Sequence, residues 1–178
     1  MADYKTIASK IIFEHPFFRF MADRVQHKDH KKDYFYLVSP VEAVATLGLT
    51  AENNILLVEQ YRHPVNEVIF DLPAGSLNSS EAPIDGARRE FEEETGFYPN
   101  HLEALGYYNQ FPGIIQAGTH LFFAKDLSPT RQNLDPGEVL KVHTKPINEV
   151  LDWVLNGNII DGSLQLALLL AIKKELLS

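Results

Sequence analysis

The stretch Gly75–Phe97 reads GSLNSSEAPIDGARREFEEETGF, and its second half sets Arg89, Glu90, Glu92, Glu93 and Glu94 around a single Phe91. A helix turns about 100° per residue, so Glu90, Glu93 and Glu94 share one face, Glu92 points away and Phe91 falls on an apolar side. Like charges on one stripe repel, which predicts a cation seated against them. Clustered carboxylate oxygens suit a hard ion such as Mg²⁺ or Mn²⁺. Ser79 or Ser80 is the expected N-cap, Pro83 fits the first turn, and Gly96 is expected to close the helix in a left-handed conformation. Upstream, Val68-Ile69-Phe70 reads as a strand and Leu72-Pro73-Ala74-Gly75 as the loop leaving it. The competing reading of any Glu-rich run is a solvated acidic helix.

Composition narrows the field. A chain of 178 residues, 45% hydrophobic and 22% charged, has the make-up of a globular protein large enough for a real core. A net charge of −8 argues against a polynucleotide-binding surface, which needs a basic stripe. Small phosphorylated ligands stay compatible, because a bound metal reverses the local field. With no cysteine, disulfides, thiol nucleophiles and thiolate zinc sites are excluded. The N-terminal residues lack the apolar core of a signal peptide, and the longest apolar run, Leu166–Ile172, is far too short to span a bilayer. The expectation is a cytoplasmic protein with neither nucleic acid nor membrane as partner.

Before residue 40, apolar pieces such as Ile11-Ile12-Phe13, Phe17-Phe18 and Tyr34–Val38 flank the polar run Gln26–Asp33. His27 and His30 lie there without a third histidine to complete a metal site, so the run reads as a solvated hairpin tip. Phe17 and Phe18 are core candidates, and equally candidates to stack on a nucleobase. Val41–Leu49 and Ile55–Tyr61 read as strands joined by a Glu52-Asn53-Asn54 turn. Arg62, at the second strand's end, is either an ordinary surface ion pair or a guanidinium fork for a phosphate. Leu102–Tyr108, His120–Ala124 and Val139–Thr144 are further strands, and Asp135–Glu138 is a turn that leaves Glu138 exposed. Helices are expected over Ile147–Leu155, ended by Gly157, and Ser163–Leu177, capped by Asp161 or Ser163. The pattern predicts an α+β or layered α/β/α domain.

Gly75, Glu81, Arg89, Glu90, Glu93, Glu94 and Gly96 together match the Nudix box, G-x5-E-x7-R-E-U-x-E-E-x-G-U, at every fixed position, with Phe91 and Phe97 in slots where aliphatics are commoner. The lead-in Asp71–Gly75, the Glu59–Val65 strand end, the Phe111-Pro112-Gly113 loop and the Gly157…Asp161 ending resemble the ADP-ribose pyrophosphatase branch of the Nudix hydrolases. That resemblance implies α/β architecture, a Nudix-type α/β/α sandwich around a mixed β-sheet with an N-terminal strand and hairpin region. Residues 1–40 would serve dimerisation and substrate contacts, and 41–178 would form the hydrolase domain of a homodimer. It implies metal ligands at Glu90, Glu93, Glu94 and the Ala74 carbonyl, with Arg89 positioning a box glutamate. Substrate contacts would come from Arg62, Pro112 and Gly113, and Glu138 would help activate water. The implied reaction is metal-dependent hydrolysis of a nucleoside diphosphate sugar, ADP-ribose to AMP and ribose 5-phosphate. GDP-mannose or another nucleotide sugar, or a non-catalytic nucleotide-sugar sensor, are the alternatives. One departure bears on the choice: where relatives often carry an acidic residue after Pro112-Gly113, this chain reads Ile114-Ile115-Gln116-Ala117.

Overall fold

The computed structural model of the protein describes residues 3–177. In chain order its elements are β1 (Tyr4–His15), β2 (Phe18–His27), β3 (His30–Val38), β4 (Ala43–Leu49), β5 (Asn54–Arg62), β6 (Glu67–Asp71) and β7 (Ala74–Ser76). There follow α1 (Pro83–Thr95), β8 (Phe97–Asn109), β9 (Ile115–Gln116), β10 (Gly118–Pro129), β11 (Leu140–Pro146), α2 (Ile147–Leu155) and α3 (Gly162–Lys173). The chain divides into two compact units, residues 3–42 with Asn109–Gly118, and Ala43–Tyr108 with 119–177.

The first unit is a four-stranded sheet in the order β1-β2-β3-β9. β1 and β2 are antiparallel and carry two register irregularities, β2 and β3 form a regular hairpin, and β9 joins β3 in parallel. The hairpin closes on the pair His27↔His30, with Lys28 at φ 54° inside the turn. His27 stacks on Tyr4 at 4.4 Å and Arg24 pairs with Asp33 at 2.7 Å, so the polar run is the solvated tip its composition indicated.

The second unit is built on a mixed sheet in the order β11-β5-β4-β10-β8. β4 runs parallel to β10 and antiparallel to β5, and β11 and β6 both pair antiparallel with β5. Side chains alternate along a strand, and the core follows that period of two. Ala45, Leu47, Leu49, Ile55, Leu57, Leu121 and Phe123 face α2 and α3, burying Val150, Leu164, Ala167, Leu168 and Ala171. Val44, Leu56, Phe122 and Ala124 face the opposite way and bury Ala87 and Phe91 of α1. The result is the expected α/β/α sandwich.

β4 changes partner midway: Ala43–Ala45 pair with β7, whereas Gly48 and Leu49 pair with β5. Thr46 N–H between them donates to the Pro73 carbonyl at 3.0 Å. The segment read as a simple loop therefore contains a short strand, held at a fork in the sheet. Phe91 needs room on this face, and Gly48 gives it, since a Cβ there would stand 2.7 Å from the phenyl ring.

Candidate active site

α1 delivers the carboxylates. Pro83 opens the helix and Gly96 closes it at φ 71°, with its N–H donating to Glu92 O. The N-cap is Ala82, without a side-chain bond, not Ser79 or Ser80. The reason is local: Glu81 organises the turn instead, its Oε2 accepting from Asn78 N–H at 2.8 Å while Ser80 sits at φ 64°. At the other end, Thr130 N–H, Asn133 N–H and Gln132 Nε2 donate to the carbonyls of Gly96, Glu93 and Glu94. These carbonyls have no partner inside the helix, so the 130–133 loop completes the C-terminal cap.

Arg89 bonds three of the box glutamates. It donates from Nε and Nη2 to Glu81 (2.8 Å each), from Nη1 to Glu90 (2.7 Å) and Glu93 (3.1 Å), and from Nη2 to the Ser76 carbonyl (3.1 Å). The guanidinium holds Glu81 down at about 2, well below the usual carboxylate range. Burial pushes Glu90 upward; Arg89 opposes this, while Glu93 and Glu138 add to it. Glu94 is 4% exposed and accepts a bond from Ala74 N–H at 2.9 Å. Burial pushes it up to about 8, the Ala74 N–H pulls the other way, and the charges of Glu90, Glu138 and Asp71 add to the rise. Glu138 is exposed, and its Oε2 accepts from Asp135 N–H at 3.1 Å.

The four calls on α1 and the exposed Glu138 thus gather around one patch beside the β4 fork, with Ala74 against Glu94. Gly75 matters for closeness, because any side chain there would run into the Glu90 carboxylate. Among the described residues, no three acidic or histidine side chains converge as a ready-made cation cage. The donor set nevertheless fits a hard divalent ion: all its side-chain donors are carboxylate oxygens, and Glu94 lacks a cationic partner of its own that any bond above supplies.

Arg62 at the end of β5 donates from Nε (3.2 Å) and Nη2 (2.5 Å) to Asp71 Oδ2. Asp71 is 4% exposed. Burial, and after it the Asp71 charge, raises the carboxyl of Asp161, the N-cap of α3, to about 6. Neither aspartate stands out in the sequence as a partner of Arg62; the only signals were Asp71 ahead of Leu72-Pro73 and Asp161 as a helix cap.

In the first unit, Pro112 and Gly113 line a cavity of about 660 Å³ together with Tyr4, Tyr34, Tyr36 and Asp23. Asp23 is fixed there by hydroxyl donors, Ser9 Oγ at 2.5 Å and Tyr36 at 2.9 Å. Phe17, 80% exposed, and Phe18 sit instead at the β1–β2 turn, ringed by His15 and Phe13. The structure brings Pro112 and Gly113 to the cavity but not the two phenylalanines; Tyr34 and Tyr36, which also line it, stood out in the sequence only as part of an apolar piece.

Residues 39–162 match the family model described as the NUDIX domain. The chain belongs to the Nudix family. It is 33% identical over 165 residues to the methanol dehydrogenase activator of Bacillus methanolicus, covering 92% of this chain and 89% of that one. It is 31% identical over 175 residues to the ADP-ribose pyrophosphatase of Bacillus subtilis (strain 168), covering 97% and 95%. A solved structure of an ADP compounds hydrolase superposes with a TM-score of 0.87 over 96% of this chain and 93% of its own, at 18% identity, and shares the Nudix fold. The chain is therefore a Nudix hydrolase, an enzyme of pyrophosphate hydrolysis whose family works with divalent metal ions.

Proposed function

We propose that this Nudix hydrolase cleaves nucleoside diphosphate sugars, ADP-ribose foremost, to AMP and ribose 5-phosphate, with Mg²⁺ or Mn²⁺ as the ion. The observation that carries this reading is the buried Glu94 beside Glu90 and Glu93 at the sheet fork. A divalent ion held there would screen phosphate oxygens and acidify bound water. Glu90, Glu93, Glu94 and the Ala74 carbonyl are the residues that would hold it. Arg89 sets the glutamates' positions through the bonds described above. Water attacks one phosphorus, the P–O bond to the bridging oxygen breaks, and that oxygen leaves with the other phosphate. Glu138 or a box glutamate accepts the proton of the attacking water. Arg62 holds a substrate phosphate through the N–H groups that Asp71 leaves free.

The tyrosine-lined cavity supports a nucleoside ligand, since flat aromatic faces with a few fixed polar groups suit a base and its ribose. Phe17 and Phe18 remain candidates for base stacking from a second copy, in a homodimer assembled through residues 1–40. A second reading, GDP-mannose or a related nucleotide sugar, is favoured by the loop that lines this cavity, where Ile114, Ile115 and Gln116 supply no acidic group. No described helix is long and apolar enough to cross a membrane, in keeping with the cytoplasmic location proposed here.

Turnover on ADP-ribose, GDP-mannose and a dinucleoside polyphosphate, with products separated chromatographically, tests the proposal. ADP-ribose should give AMP and ribose 5-phosphate at the highest kcat/KM. Binding of all three without product over hours in Mg²⁺ would make the protein a sensor and overturn the reading.

A further inference from the structure

Arg62 passes over the acid opposite it. In the β5–β6 ladder its partner is Glu67, yet its guanidinium lies back along the sheet and donates from Nε (3.2 Å) and Nη2 (2.5 Å) to Asp71 Oδ2. Gln60, on the same face of β5 by the period of two, brings Nε2 to that oxygen at 3.4 Å. The second oxygen, Oδ1, accepts from Leu72 N–H at 2.8 Å. Burial divides the pair unequally: the Asp71 side chain is 5% exposed and that of Arg62 43%. Asp71 is the fixed anchor, and Arg62 the part that reaches outward.

A guanidinium carries its five N–H groups in one plane, with a side edge made by Nε and Nη2 and an end edge made by Nη1 and Nη2. Asp71 takes one bond from each nitrogen of the side edge, and no described residue uses the end edge. Its parallel N–H groups match two oxygens of a phosphate. We propose that Asp71 is a positioning residue for pyrophosphate hydrolysis: it clamps the side edge of Arg62 and so presents the end edge to a substrate phosphate. This rests on the reading of Arg62 as a phosphate contact. Because Oδ1 holds Leu72 N–H, at the start of the segment that carries Ala74, the clamp also ties Arg62 to the backbone that meets Glu94.

Asp71 acts on Arg62 in two ways that oppose each other. Its charge cancels that of the guanidinium and weakens the pull on an anion. Its two bonds remove in advance the rotamer freedom that so long a side chain would otherwise lose on binding. Water screens the charge effect at a guanidinium as exposed as this one, so the orienting effect should win. Loss of the clamp should then raise KM, whereas an Asp71 that acted by charge alone would lower KM when removed. An ion pair that merely pins β5 to β6 would change the melting temperature and leave KM where it was.

The test is steady-state kinetics on the full chain with ADP-ribose and saturating Mg²⁺, beside thermal melts of each variant. Arg62→Ala should raise KM by about tenfold or more. Asp71→Asn is nearly isosteric, but its single acceptor oxygen cannot serve both Leu72 N–H and the guanidinium. It should raise KM by about fivefold or more with kcat within about threefold of wild type. In an Arg62→Ala background it should raise KM no further. Arg62→Lys keeps the charge but has no end edge, and should raise KM nearly as far as Arg62→Ala. It leaves the buried carboxylate in place, so the proposal stays testable if Asp71→Asn fails to fold. If Arg62→Ala leaves KM unaltered, the phosphate-contact reading fails and the proposal with it. If Arg62→Ala raises KM but Asp71→Asn leaves or lowers it, Arg62 stands and the role of Asp71 is overturned. A wild-type KM in Arg62→Lys would overturn it too, since a point charge would then do without a presented edge.

Discussion

Glu94 is a carboxylate that its surroundings do not favour as an anion. Burial raises it from 4.5 to about 8, so the folded, metal-free protein holds a proton that the unfolded chain has already released above pH 4.5. Folding stability must then fall as pH rises from about 4.5 to about 8, because in that window the folded state binds more protons than the unfolded one. Glu90 and Asp161, raised by burial as well, act in the same direction. Thermal melts in chelator should show this decline, and Glu94→Gln should make it shallower; an unchanged slope in the variant would contradict the buried-acid account. The same substitution should lower kcat by roughly 10²–10⁴ with the circular dichroism spectrum intact. Activity within about threefold of wild type would remove Glu94 from the chemistry. That Glu90, Glu93 and Glu94 share a face was legible from spacing alone, as was the burial of Phe91. The influence of the Asp71 charge on Asp161 was not, because no local pattern announces the nearness of residues so far apart in sequence.

At the scale of the element, α1 shows what local chemistry specifies and where it misleads. Pro83 and Gly96 fall at the ends that their backbone preferences dictate. The serines looked like caps because hydroxyls usually take that role, yet Glu81, tethered by Arg89, claims the turn. Ser79→Ala should accordingly leave stability within about 0.5 kcal/mol of wild type. Gly96→Ala should cost roughly 1–2 kcal/mol, since an alanine at φ 71° is strained. It would also press on Gln132 N, 3.0 Å from the new Cβ. Chemical denaturation of the two variants separates these expectations; equal losses would mean that the hydroxyl caps the helix after all. The strand assignments from period-two patterning hold, but β8 and β10 run beyond their apolar centres, because cross-strand bonding extends a strand past the residues whose burial reveals it.

At the scale of the molecule, the layered α/β/α order of the second unit followed from the succession of strand and helix patterns, and the Nudix box fixed its kind. The first unit exposes Ile11, Phe13 and Phe17 on its long hairpin, which supports the proposed homodimer. Analytical ultracentrifugation should find a two-chain species at micromolar concentration, and Phe13→Glu should weaken it; a monomer at all concentrations would rule the homodimer out. The first unit is also assembled from two pieces of chain, since β9 comes from the segment Asn109–Gly118 and joins β3 from far downstream. A gene trimmed at codon 42 would therefore not yield a clean catalytic module. It would strip Ile115 and Gln116 of β3, the only strand they pair with among the described residues, and leave Asn109–Gly118, the first unit's second piece, with an orphaned edge. The two parts of this protein would have to be exchanged together.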